Sequence, residues 1–125
     1  MIKKFTFSLI LCLFAYSSSS QKFIPEIGLT TLNGESIKSV EAINQEGFTI
    51  ISFWATWCIP CINELDAINE VISEWNKKED ITVLAISTDD SRSKKRVRPL
   101  INGKNWIFDI ISDTNQEFKR AMGVV

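Results

Sequence analysis

The chain has 125 residues, 45% of them hydrophobic, a formal charge of −1 and no histidine; that suffices for one compact domain and leaves no room for a second. So mild a charge gives a polyanion nothing to bind, which argues against nucleic acid as a partner. No histidine is present, and of three cysteines only two, Cys58 and Cys61, lie beyond the first twenty residues, which leaves a tetrahedral zinc site two ligands short of its usual Cys and His donors; no metal and no cofactor are expected.

Lys3 and Lys4 open the chain, Phe5 to Tyr16 follow as an apolar run, and Ser17 to Ser20 form a small polar stretch. This is the order of a secretory signal peptide. Residues 1–20 are therefore read as a signal segment cut between Ser20 and Gln21, and the protein as exported. If retained, the segment would tether the chain to a membrane, although its apolar core is short for a span. Cys12 is not read as a lipidation site, because Leu11 precedes it where such signals want a small residue. Losing Lys3 and Lys4 and no acids takes the charge from −1 to −3 and leaves Cys58 and Cys61 as the mature chain's cysteines.

The run Leu29 to Ile37 carries Asn33-Gly34 between two strand-like stretches, which predicts a β-hairpin. Phe48 to Trp54 is almost continuously apolar or β-favouring, the pattern of a strand covered on both faces, and is read as the central strand of a sheet. Next, Leu65, Ile68, Ile72 and Trp75 recur at helical spacing and Val71 widens the stripe, while Asn63, Glu64, Glu70, Glu74 and Lys78 fall among polar positions. An amphipathic helix follows, with Pro60 in its first turn. Ile81 to Ile86 predicts a second buried strand, parallel to the first across the helical connection.

Ser91 to Ile101 places Val97, Leu100 and Ile101 at helical spacing, but Pro99 is expected to kink or end that helix. Its basic residues, Arg92, Lys94, Lys95, Arg96 and Arg98, lack interleaved aromatics and are read as a solvated face. Ile107 to Ile111 predicts a third strand. A short helix should follow, capped by Asp113 or Thr114, with Phe118 and Met122 on one side and Gly123 at its C-terminal end. Trp75 and Trp106 are assigned to packing.

The chemistry lies in Trp57-Cys58-Ile59-Pro60-Cys61. A bridge across two intervening residues restrains the unfolded chain little, so a purely structural disulfide would be a poor use of the pair. Set at the top of a buried strand and the start of a helix, the cysteines are placed where terminal N–H groups stabilise a thiolate. With Cys58 at the helix N-terminus and Cys61 one turn inside, the first sulfur should be accessible and the second should lie behind it. Cys58 is then the attacking thiolate and Cys61 the resolver.

Phe53-Trp54-Ala55-Thr56-Trp57-Cys58-Ile59-Pro60-Cys61 resembles the active-site run of the thioredoxin superfamily, and Glu64 resembles the acidic position of its TlpA- and ResA-like exported reductases. Asp66 stands where those proteins commonly carry proline. The resemblance covers most of residues 23–125. It implies an α/β thioredoxin-like fold with an N-terminal β-hairpin and a mostly parallel central sheet flanked by helices. Cytoplasmic thioredoxins keep a buried aspartate where Ser52 stands here; a hydroxyl is a poor proton acceptor, so Glu64 is expected to assist deprotonation of Cys61. Trp54 is expected to pack beside the site, with Trp57, Ile59 and Pro60 contacting substrate.

Such domains continue past a pattern like Met122-Gly123-Val124 with a cis-proline loop, a hairpin and a last helix. The prolines here are Pro25, Pro60 and Pro99, so residues 21–125 are expected to be an incomplete thioredoxin-like domain whose Phe48–Trp54 strand is left as a sheet edge. The implied function is a periplasmic thiol–disulfide oxidoreductase that reduces protein disulfides, supplied by a membrane or periplasmic electron donor. Two alternatives remain: a peroxiredoxin-type peroxidase, suggested by Thr56 two residues before Cys58 but lacking the proline that should precede it, and a catalytically silent binding domain.

Overall fold

The computed structural model describes residues 23–125; the signal-segment reading of residues 1–20 lies outside them. Five strands form one sheet among these residues: β1 (Gly28–Thr31), β2 (Ser36–Lys38), β3 (Phe48–Trp54), β4 (Ile81–Ser87) and β5 (Asp109–Ser112), in the order β2-β1-β5-β4-β3. Helix α1 (Ile59–Trp75) connects β3 to β4. A 3-10 turn (Lys94–Arg96) leads into α2 (Val97–Asn102), and α3 (Glu117–Ala121) follows β5.

Strands β3, β4 and β5 are parallel, and β1 runs antiparallel to both β2 and β5. The hairpin forms where Asn33-Gly34 predicts it: Gly34 takes a φ of 87°, which a residue without Cβ adopts at no cost, and donates its N–H to Thr31. Register places Trp54 opposite Ser87 and Ser87 opposite Ser112, so the carboxyl ends of all three parallel strands fall at one edge.

Strand β4 is buried from Val83 to Ser87, and its alternating side chains divide the core between the two faces of the sheet. Leu84 and Ile86 pack with Leu29, Ile111 and Phe118. Ala85 faces the opposite cluster, Trp54, Ile62, Leu65 and Val97, with Cys61 and Trp106 against it.

Strand β3, read as central to a complete domain and expected to be left as an edge in this chain, is an edge among the described residues, because β5 pairs with the other side of β4. Other expectations are corrected. Pro99 neither kinks nor ends a helix; it is the third residue of α2, in the first turn, where its missing N–H has no intrahelical acceptor to lose. The third strand starts at Asp109 because the Ile107 N–H donates to the Asn69 side chain at 2.9 Å, which holds that residue off the ladder. At α3 the N-cap residue is Gln116, in a left-handed conformation, while the Asp113 carboxylate reaches over it to accept the N–H groups of Phe118 and Lys119. Gly123, with φ 71°, follows the C-cap Met122. Trp75 belongs to neither core cluster and stays 38% exposed at the end of α1.

Asp66 ties α1 to the segment before β5. It accepts the Trp106 indole N–H at 2.8 Å and a Lys104 ammonium hydrogen bond at 2.7 Å. Held this way, Trp106 meets Trp54 edge-on, with ring centroids 5.3 Å apart. Lys104, and with it Trp106, holds the Asp66 carboxyl below its ordinary value against the smaller opposing effect of burial. A carboxylate whose folded pKa is depressed contributes stability that is present above the unfolded pKa and lost as pH falls through the folded one. Asp66→Asn should therefore cost about 1 kcal/mol near neutral pH. In thermal melts the gap between wild type and variant should narrow as the pH falls below the ordinary carboxylate range and through the depressed folded value, and a gap independent of pH would refute the assignment.

Candidate active site

The end of β3 is fixed from β4. Thr88 donates both its backbone N–H, at 2.8 Å, and its hydroxyl, at 3.1 Å, to the Trp54 carbonyl. The chain then turns through Ala55, Thr56 and Trp57, and the Cys58 N–H closes the turn on the Ala55 carbonyl at 3.0 Å. Cys58 is the N-cap residue of α1, with φ −94° and ψ 88°, and its carbonyl accepts the Ile62 N–H. No side chain caps this terminus and Pro60 stands in its first turn. The first-turn N–H groups have no intrahelical acceptors, and the partial positive charge they leave favours a thiolate at Cys58.

Cys58 and Cys61 are joined as a disulfide, with their Cα atoms 5.3 Å apart. Both are half-buried, and Cys61 packs against the cluster beneath α1 that holds Trp54 and Leu65. Around them Trp57 is 67% exposed, Ile59 is 62% exposed and Pro60 is also on the surface, so an apolar rim borders the sulfurs. Glu64 lies exposed on α1, one turn beyond Cys61. Ser52 is buried in β3, opposite Ala85. The described residues contain no cluster of three or more Cys, Asp or Glu side chains able to hold a metal ion.

Asp89 is the residue that sequence reasoning missed. It is 0% exposed, just past the end of β4. Its Oδ1 accepts the Thr56 hydroxyl at 2.6 Å, and its Oδ2 accepts the Thr56 N–H at 2.9 Å and the Ser87 hydroxyl at 2.8 Å. A buried carboxylate is costly unless donors surround it, and here two of the three donors come from the turn that delivers Cys58. Asp89 thus fastens the turn that carries Cys58 to the strand beside it. The available signal was the polar run Ser87-Thr88-Asp89-Asp90 directly after a buried strand, with Thr56 the polar residue of the facing turn.

Thioredoxin-like protein YneN of Bacillus subtilis is 32% identical over 90 residues, 71% of this chain and 51% of its own length. The thiol-disulfide oxidoreductase ResA of Bacillus thuringiensis is 27% identical over 103 residues, 82% of this chain and 57% of its own. The chain thus spans about half the length of the curated relatives it matches. Among solved structures, a thioredoxin-like protein from Porphyromonas gingivalis superposes with a TM-score of 0.69 at 35% identity, over 79% of this chain and 65% of that one. The fold is thioredoxin-like. A sheet that sets a cysteine pair at the head of α1 is joined by a match of residues 21–125 to the AhpC/TSA family model, and the chain belongs to that family.

Proposed function

We propose that the protein is an exported thiol–disulfide oxidoreductase that reduces disulfides in other proteins, with residues 1–20 as its signal segment and residues 21–125 carrying the chemistry. The observation that supports it most is the Cys58–Cys61 pair at the uncapped N-terminus of α1, bordered by exposed apolar side chains. In the reducing direction the Cys58 thiolate attacks a substrate disulfide, forms a mixed disulfide and releases one substrate thiolate. The Cys61 thiolate then attacks the Cys58 sulfur, which frees the second substrate thiolate and leaves the Cys58–Cys61 bridge. Two electrons from a dithiol donor, membrane-bound or periplasmic, restore the reduced pair. Glu64 serves as the group that takes the Cys61 proton, and Trp57, Ile59 and Pro60 bear on the substrate.

The peroxidase reading rests on Thr56, whose hydroxyl donates to Asp89. A side chain committed to holding the turn favours disulfide exchange over peroxide handling at Cys58. Reduction of insulin by dithiothreitol supplies the test: catalytic amounts of the protein should accelerate precipitation of the freed B chain. An onset time unchanged by the protein, and equally unchanged by Cys58→Ser, rejects the proposal.

A further inference from the structure

The basic cluster that reads as a solvated face in the sequence is divided by the fold. Arg98 turns toward the hairpin, where it donates to the Leu32 carbonyl at 2.6 Å and to Asn33 at 3.2 Å. Arg92 and Arg96 instead line a cleft of about 370 Å3 whose other walls include Trp57, Thr88, Ser93 and Gln116. These residues follow β3, β4 and β5, so the cleft opens at the shared carboxyl edge of the parallel strands. Open α/β sheets bind their ligands in crevices at that edge. Neither cysteine lines the cleft, but Trp57 does and immediately precedes Cys58 in the chain, so the cleft reaches the residue next to the dithiol.

The charge of this cleft is uneven. Its acidic lining residue, Asp90, is already committed: its carboxylate accepts the Arg92 side chain at 2.9 Å, the backbone N–H groups of Arg92 and Ser93, and the Ser93 hydroxyl. Those contacts hold the Asp90 carboxyl below its ordinary value. Arg96 has no acidic partner among the described residues, and Lys94 and Lys95 stand exposed and likewise without an ion pair on the same turn. A chain of net negative charge thus presents a local positive site beside Trp57, the residue that precedes Cys58.

We infer that this cleft selects disulfide substrates carrying aspartate or glutamate close to the reacting cysteine, with Arg96 receiving the carboxylate while Trp57 supports the adjoining backbone. The inference rests on the oxidoreductase reading and adds to it a class of substrate: an acidic polypeptide segment. A planar guanidinium can receive a carboxylate through two parallel hydrogen bonds. Complementary charge also raises the rate of productive encounter, an effect that salt suppresses.

The test uses the full chain with dithiothreitol as electron donor and three disulfide-linked model peptides whose cysteines are flanked by glutamate, glutamine or lysine. At low salt the acidic peptide should be reduced about five- to tenfold faster than the basic one, and the ratio should approach one at about 0.5 M sodium chloride. Arg96→Ala should reduce the ratio and Arg96→Glu should bring it below one. Lys77→Glu, a charge reversal at the far end of α1, should leave it unchanged. The ratio is independent of any general loss of activity in a variant. Equal rates on the three peptides, or a preference that survives Arg96→Glu, overturn the inference while leaving the oxidoreductase reading intact. Failure to reduce any of the peptides overturns both.

Discussion

Serine at position 58 should return insulin reduction to the uncatalysed rate, whereas serine at position 61 should stop turnover and accumulate protein joined to substrate. The asymmetry follows from access and charge. Cys58 is the N-cap residue of α1, beside N–H groups without helical acceptors, and is flanked on both sides by exposed residues. Cys61 is a turn further in and packs against the Trp54 cluster, where an incoming protein disulfide meets more obstruction. Removing Cys58 therefore removes the first step. Removing Cys61 preserves that step but leaves the mixed disulfide without its intramolecular attacker. Non-reducing electrophoresis and intact-mass measurement separate the two outcomes: a covalent adduct with Cys61→Ser and none with Cys58→Ser. Adduct formation by the Cys58 variant alone would reverse the assigned roles.

Asp89→Ala should be among the most damaging substitutions outside the cysteines. It strands the Thr56 N–H, the Thr56 hydroxyl and the Ser87 hydroxyl around a position that is 0% exposed. Each buried donor left without an acceptor costs about 1–3 kcal/mol, and partial relaxation of the turn brings the expected total to about 2–4 kcal/mol. Asp89→Asn keeps one carbonyl oxygen but turns an amide toward groups that donate, so about half that loss is expected. Urea unfolding measures both as a lower midpoint with an unchanged slope. The alanine variant should also lose disulfide-reducing activity at urea concentrations where it remains folded, since the turn that aims Cys58 has lost its fastening. Full activity there would reduce Asp89 to a folding residue.

Periodicity and turn chemistry disclosed most of the elements, because β4 is buried on both faces and α1 carries an uninterrupted apolar stripe. The cysteine pair and its exposed neighbours were equally legible, since chain-adjacent residues at a strand-to-helix junction need no tertiary information to be brought together. What escaped was set by contacts between distant segments. Asp89 meets Thr56 across 33 positions, and Asp66 meets Trp106 across 40. The same limit explains the late start of β5, where an asparagine on α1 captures the Ile107 N–H. It also explains the division of the arginines, since their local sequence holds nothing to send Arg98 to the hairpin and Arg96 to the cleft. Pro99 departs from expectation for a different reason: a helix-breaking residue is harmless in a first turn, and the start of α2 at Val97 is not visible in the apolar pattern.

The edge position of β3 bears on how the reactive turn breathes. Among the described residues this strand has a single ladder, to β4, so those of its amides that face away from β4 have no strand partner. Amide exchange should then divide β3 into two populations, one nearly as slow as β4 and one fast, alternating along the strand. Any opening that frees β3 from β4 also loosens the Thr88 clasp on Trp54 and the Asp89 clasp on Thr56, since all three lie along the same seam. Among the described residues the dithiol sits at the end of a zipper with one row of teeth, and its steadiness is that of the neighbouring strand.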